Sequence, residues 1–150
     1  MIASCLACDL ASGRLPLVGG QLHRTQYWVV EHCVGPLGVG TMIVKPERHV
    51  VHVADLTDDE AAELGPLLRD AARVATAIIQ PEQVYVTLWS HAGAVPGHIH
   101  YVIHPVTRDV MEEFGHGSKL QPAMFSANCW PDPQAVETFA ESARRLFRSD

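Results

Sequence analysis

Apolar and polar positions alternate along several short stretches of the chain and repeat at three and four residues along two longer ones. Alternation with period two marks half-buried strands, and spacing of three and four marks helices with one apolar face. Gln21 to Thr25 and Tyr27 to His32 read as one or two strands, rich in β-branched and aromatic residues. Gly40 to Lys45 reads as a further strand, stopped by Pro46, and Val84 to Trp89 as a fourth. The stretch from Gly97 to Val106 alternates most clearly. It places His98, His100, Val102 and His104 on one face and Ile99, Tyr101 and Ile103 on the other. A loop from Ser90 to Pro96 joins the last two runs, which favours an antiparallel pair.

Helical spacing begins at Thr57-Asp58-Asp59-Glu60, a capping box in which the threonine side chain and the glutamate three residues on satisfy each other's amides. Leu64, Leu67, Leu68, Ala71, Val74, Ala75, Ile78 and Ile79 then give one wide apolar face. Pro66 within that face predicts a kink or a restart after Gly65, and Gln80-Pro81 ends the helix. Thr107 can cap a short helix that ends at Gly115, and residues 115–119 read as a loop. Asp132 caps the last helix, with Pro133 at its first position and Val136, Phe139, Ala140, Ala143, Leu146 and Phe147 on its inner stripe. The elements make an α+β fold, an antiparallel sheet of about five strands carrying two main helices. Neither an internal repeat nor a linker divides residues 1–150, so one domain is expected.

The 150 residues, 47% hydrophobic and 19% charged, suffice for one packed core. A formal net charge of -6 without a Lys/Arg run argues against a nucleic-acid groove, which needs basic side chains to neutralise phosphates. Met1 to Cys5 has no basic region, and the uncharged stretch from Gln83 to Thr107 is broken by Ser, His, Gly and Pro. Neither a secretory signal nor a membrane span is expected, and a cytoplasmic location follows. Residues 115–119 lack the spacing of a phosphate-binding P-loop.

Chemistry concentrates in cysteines and histidines. Cys5 and Cys8 form a C-x-x-C pair, which can grip a zinc ion or serve as a reversible redox couple. The redox reading expects a core strand ahead of the motif, and none precedes it. Zinc requires two further ligands from elsewhere in the chain. Cys33 and Cys129 read as buried apolar thiols, and Trp28, Trp89 and Trp130 as core or interface residues. His49 and His52 follow the Gly40 to Lys45 strand, and three histidines share a face of the late strand, more imidazoles than a core easily satisfies.

This combination resembles the histidine triad (HIT) superfamily, in its zinc-binding branch: a C-x-x-C at Cys5 and Cys8, a strand ending Val44-Lys45-Pro46-Glu47-Arg48-His49, a capped helix, and a late His98-Ile99-His100 strand ending near Pro105. The likeness runs from Cys5 to about Val106. It implies a five-stranded sheet with two main helices, a homodimer, and hydrolysis or transfer at the α-phosphate of a nucleotide such as a dinucleoside polyphosphate. Carried over, it implies a structural zinc held by Cys5, Cys8, His49 and His98. It also implies His100 as the nucleophile, forming a nucleotidyl-histidine intermediate. The third histidine of the family's H-x-H-x-H falls on Val102, with His104 the expected substitute one strand repeat further on. The polar residues that precede the family triad correspond to Ala94 and Val95. Those departures leave a second expectation from another class: a zinc-stapled nucleotide-binding protein with weak or no catalysis.

Overall fold

A computed structural model describes residues 4–149 of the chain. Met1 to Ala3, the start of the segment expected to lack a secretory signal, lie outside the described residues. Five strands, β1 (Gln21–Arg24), β2 (Trp28–His32), β3 (Met42–Pro46), β4 (Gln83–Ala92) and β5 (Val95–Val106), form a sheet in the order β1-β2-β3-β5-β4. Every neighbouring pair is antiparallel. Five helices accompany them: α1 (Leu6–Ala11), α2 (Asp58–Ile79), α3 (Arg108–Phe114), α4 (Leu120–Ser126) and α5 (Pro133–Arg148). The expected α+β architecture with two main helices is the one observed.

Strand alternation divides the buried residues into two clusters, one on each face of the sheet. Trp28, Val30, Met42, Val44 and Ile103 pack with Leu67, Ala71 and Val74 of α2 and with Phe139, Ala140 and Ala143 of α5. From the opposite face Ile43, Val102 and Val106 pack with Leu120 and Met124 of α4. The face assignment read along β5 therefore holds: Ile103 and Val102, adjacent in sequence, enter different clusters.

The capping box at the start of α2 forms as expected. Glu60 N donates to Thr57 Oγ1 at 3.2 Å, and Thr57 N donates to Glu60 Oε2 at 2.8 Å. The same carboxylate accepts from Arg48 Nε at 3.0 Å and Nη2 at 2.9 Å, so the helix start also holds the segment that carries His49. The guanidinium keeps Glu60 below the usual carboxylate range. Trp28, fully buried, donates its indole N–H to the Glu60 carbonyl at 2.9 Å and locks this corner onto the sheet.

Three sequence expectations change. Helix α2 runs through Gly65 and Pro66 without a restart. Both residues lie on the exposed side, where water can take the carbonyl that the missing proline N–H leaves free. Residues expected as the loop Ser90 to Pro96 are largely strand, because Gly93, at φ +67°, lets Gly93-Ala94 close a two-residue turn. Within the expected loop at residues 115–119 a 3₁₀ turn at residues 117–119 leads into α4, and sequence periodicity revealed neither that helix nor the short α1.

Candidate functional site

Four sulfur and nitrogen donors meet at one end of the sheet. Cys5 caps α1, its Sγ accepting from Cys8 N at 3.4 Å, and the first turn of that helix brings the two thiols together. His49 arrives on the segment after β3, which is pinned to β5 where Ile99 N donates to the Val50 carbonyl at 2.9 Å. His98 comes from β5 itself. The Nδ1 of His98 lies 3.6 Å from Cys5 Sγ and 3.4 Å from Cys8 Sγ, and Cys8 Sγ lies 3.4 Å from His49 Nδ1. All four donor atoms fall within 4.8 Å of one another.

These separations fit a tetrahedral metal. With Zn–S near 2.3 Å and Zn–N near 2.0 to 2.1 Å, the S–N edge of a tetrahedron is about 3.6 Å. The ring orientation fits as well: His98 Nε2 donates to the Pro46 carbonyl at 2.8 Å, which holds the proton on that nitrogen and turns Nδ1 towards the thiols. Burial pushes the His98 pKa down to about 4, so the ring is neutral and its Nδ1 is a free donor. Burial and the neighbouring Cys5 push the Cys8 thiol up to about 11. A divalent cation would displace that proton, because the metal ligand is the thiolate. Four protein donors leave no open position, the arrangement of a structural site.

Beside this cluster is a groove of about 540 Å³, lined by α1, the β4–β5 turn and the sheet, with His98 and His100 both at its wall. The Nδ1 of His100 bonds the backbone carbonyl of His98 at 3.1 Å. That bond fixes one ring nitrogen as the donor and leaves Nε2 as an unprotonated base. Burial lowers the His100 pKa, which keeps the ring in this neutral form. Trp89, the cross-strand partner of His100, meets its ring edge-on with centroids 6.0 Å apart.

The remaining triad positions lie elsewhere. Val102 is buried in the apolar cluster under α4. His104 is 1% exposed, roughly 13 Å along the strand from His100, and does not line the groove. Its Nδ1 meets Gln121 Nε2 at 3.5 Å, and Gln121 Oε1 accepts from Trp89 Nε1 at 3.1 Å. His104 therefore reaches His100 only through Gln121 and Trp89. Ala94 and Val95 sit exposed at the β4–β5 turn and offer no side-chain donor. His91, also exposed, lines the groove, whereas Trp130 is an exposed residue rather than core. Cys33 and Cys129 are half-buried thiols against the second cluster.

Sequence reading passed over two groove residues, Glu31 and Lys45. Their ammonium and carboxylate pair in the floor of the groove. The available signal was a lysine and a glutamate each on the groove side of an otherwise apolar strand, Ile43-Val44-Lys45 and Val29-Val30-Glu31.

No family model matches the sequence, and no curated protein does. Solved structures do match. A zinc-bound histidine triad family protein from Mycobacterium smegmatis superimposes with a TM-score of 0.69 at 20% identity, over 97% of this chain and 94% of that one. A hypothetical histidine triad nucleotide-binding protein from Sulfolobus tokodaii gives 0.72 at 15% identity, over 97% and 93%. A HIT-like protein involved in cell-cycle regulation from Bartonella henselae gives 0.70 at 13% identity, over 95% and 96%. The fold is the histidine triad fold. The Cys5, Cys8, His49 and His98 cluster adds to it a donor set suited to zinc.

Proposed function

We propose that the chain is one histidine triad-type domain that hydrolyses or transfers a nucleotide at its α-phosphate, with His100 as nucleophile and a structural zinc on Cys5, Cys8, His49 and His98. The single observation that carries the catalytic reading is the His100 ring: Nδ1 tied to the His98 carbonyl and Nε2 free beside a groove of nucleotide-sized volume. In the first step Nε2 attacks the α-phosphorus, a P–N bond forms and the bond to the leaving group breaks. Water or another acceptor then attacks the same phosphorus and His100 regains its lone pair. His104, expected as the substitute for the third histidine, lies behind Gln121 and Trp89, and its part in the reaction is that of a positioning residue acting through them.

A zinc held by Cys5, Cys8, His49 and His98 would supply a fixed cross-link between α1 and the ends of β3 and β5. What the chain contributes is the tautomer of His98, through Pro46, and the anchoring of His49, through Val50 and the Arg48–Glu60 pair. No helix of the described residues is long and apolar enough to cross a membrane. A cytoplasmic location and a homodimer belong to the proposal, the latter by likeness to the family.

The test is product analysis after incubation with dinucleoside polyphosphates and nucleoside phosphoramidates. A nucleoside monophosphate product that disappears in His100→Ala supports the enzyme. A second reading, a nucleotide-binding protein with lost catalysis, is favoured by Val102, Ala94 and Val95, which remove three polar contacts from the phosphate's surroundings. Saturable nucleotide binding without product would select it.

A further inference from the structure

The Glu31–Lys45 pair in the groove floor is expensive to bury. Lys45 is 1% exposed and Glu31 3% exposed. Burial raises the Glu31 pKa even against the pull of the lysine. A buried ion pair replaced by apolar side chains of the same volume commonly costs nothing or gains stability, so folding alone gives little reason to keep one. The remaining β3 positions, Met42, Ile43, Val44 and Pro46, are apolar and equally buried.

The position of Lys45 suggests what it serves. Strands β3 and β5 pair Ile43 with Val102 and Val44 with Tyr101, and Lys45 and His100 each follow directly on the last of these pairs, at the same end of the ladder. Both side chains line the groove, and Lys45 is the only lysine or arginine among the described residues that do. The Lys45 charge is also one of the influences that lower the His100 pKa. An ammonium carries three N–H donors. One goes to Glu31 and one to the Ala7 carbonyl at 2.8 Å, and the described residues supply no third acceptor.

We propose that Lys45 holds the anionic phosphoryl group of the ligand at His100, with Glu31 as its counter-ion when no ligand is bound. The inference rests on the reading of the groove as a nucleotide site. It makes Glu31 an opponent of the phosphate, since its carboxylate shares the same ammonium.

The experiment is calorimetric titration of the zinc-loaded protein with nucleoside monophosphates and with the matching uncharged nucleosides. Wild type is compared with Glu31→Gln and with the double variant Glu31→Met/Lys45→Met, which leaves no buried charge unpaired. The quantity read is the preference for monophosphate over nucleoside. It should fall about ten- to a hundredfold in the double variant, the range of one charge-assisted hydrogen bond, and should rise several-fold in Glu31→Gln. An unchanged preference in a folded double variant overturns the proposal and leaves the pair as a clamp on α1. A reduced preference in Glu31→Gln also overturns it. If wild type binds nucleoside and monophosphate equally, the phosphate site fails and Lys45 with it. Turnover without His100 would instead remove the nucleophile and leave the Lys45 result standing.

Discussion

Replacing Lys45 alone by methionine should be among the most damaging single changes on the sheet. The substitution conserves the length of the side chain but strands the Glu31 carboxylate in a site where both residues are at most 4% exposed. It also removes the donor from the Ala7 carbonyl, the contact that ties α1 to β3. Breaking a buried pair by removing one partner costs about 3 to 5 kcal/mol. A domain of this size has about 5 to 15 kcal/mol in all. At about 2 to 4 °C per kcal/mol, the melting temperature should fall by roughly 6 to 20 °C. The Glu31→Met/Lys45→Met double variant should recover most of this loss, since neither charge is then buried alone. Urea denaturation of wild type, both single variants and the double variant closes the cycle and isolates the coupling. A Lys45→Met stability within about 1 kcal/mol of wild type would refute the reasoning, because the carboxylate would then have found water or another partner.

Metal removal should act on the N-terminus first. Zinc added to stripped protein at a hundred times its dissociation constant should stabilise by about 2.7 kcal/mol, and hydrogen exchange should slow in α1 more than in β5; equal slowing everywhere would contradict a local clip. Gly40, at φ +92°, faces Ile79, and a Cβ there would lie 2.8 Å from its Cγ1, so Gly40→Ala should cost at least about 1 to 3 kcal/mol in a urea melt. Burial holds His104 at a pKa of about 4, below its unfolded value near 6.5. The unfolded chain therefore binds the proton first, and stability should fall as pH drops from 6.5 towards 4, by roughly 3 kcal/mol from this residue. Buried His32 shifts in the same direction, its Nε2 accepting from Gly40 N at 2.9 Å. His104→Leu should flatten the acid limb of the profile, and an identical slope in the variant would remove His104 from the account.

The parts of the fold legible in the sequence are those where local chemistry and tertiary packing agree. Thr57 and Glu60 announced α2, and alternation from His98 to His104 assigned each residue of β5 to its face, because register errors of one residue would bury the wrong side. Helix α1 was not legible: six residues carry no periodicity, and its two thiols matter only once His49 arrives, 41 residues from Cys8, and His98, 93 residues from Cys5. The role of His104 was not legible either, since whether a histidine lines the groove or lies beneath α4 depends on a helix that Pro122 and a 3₁₀ lead-in conceal. Lys45 looked like the polar end of a strand. Its partner, Glu31, is 14 residues away on β2, and only the sheet brings the two together.

The central claim is that His100 carries the nucleotide. Intact-mass spectrometry of wild type and His100→Ala, quenched after brief mixing with dinucleoside polyphosphates and nucleoside phosphoramidates, tests it most directly. A nucleoside monophosphate adduct on wild type that is absent from His100→Ala is the expected result. An adduct that survives in His100→Ala would contradict the claim, as would turnover by both proteins at the same rate.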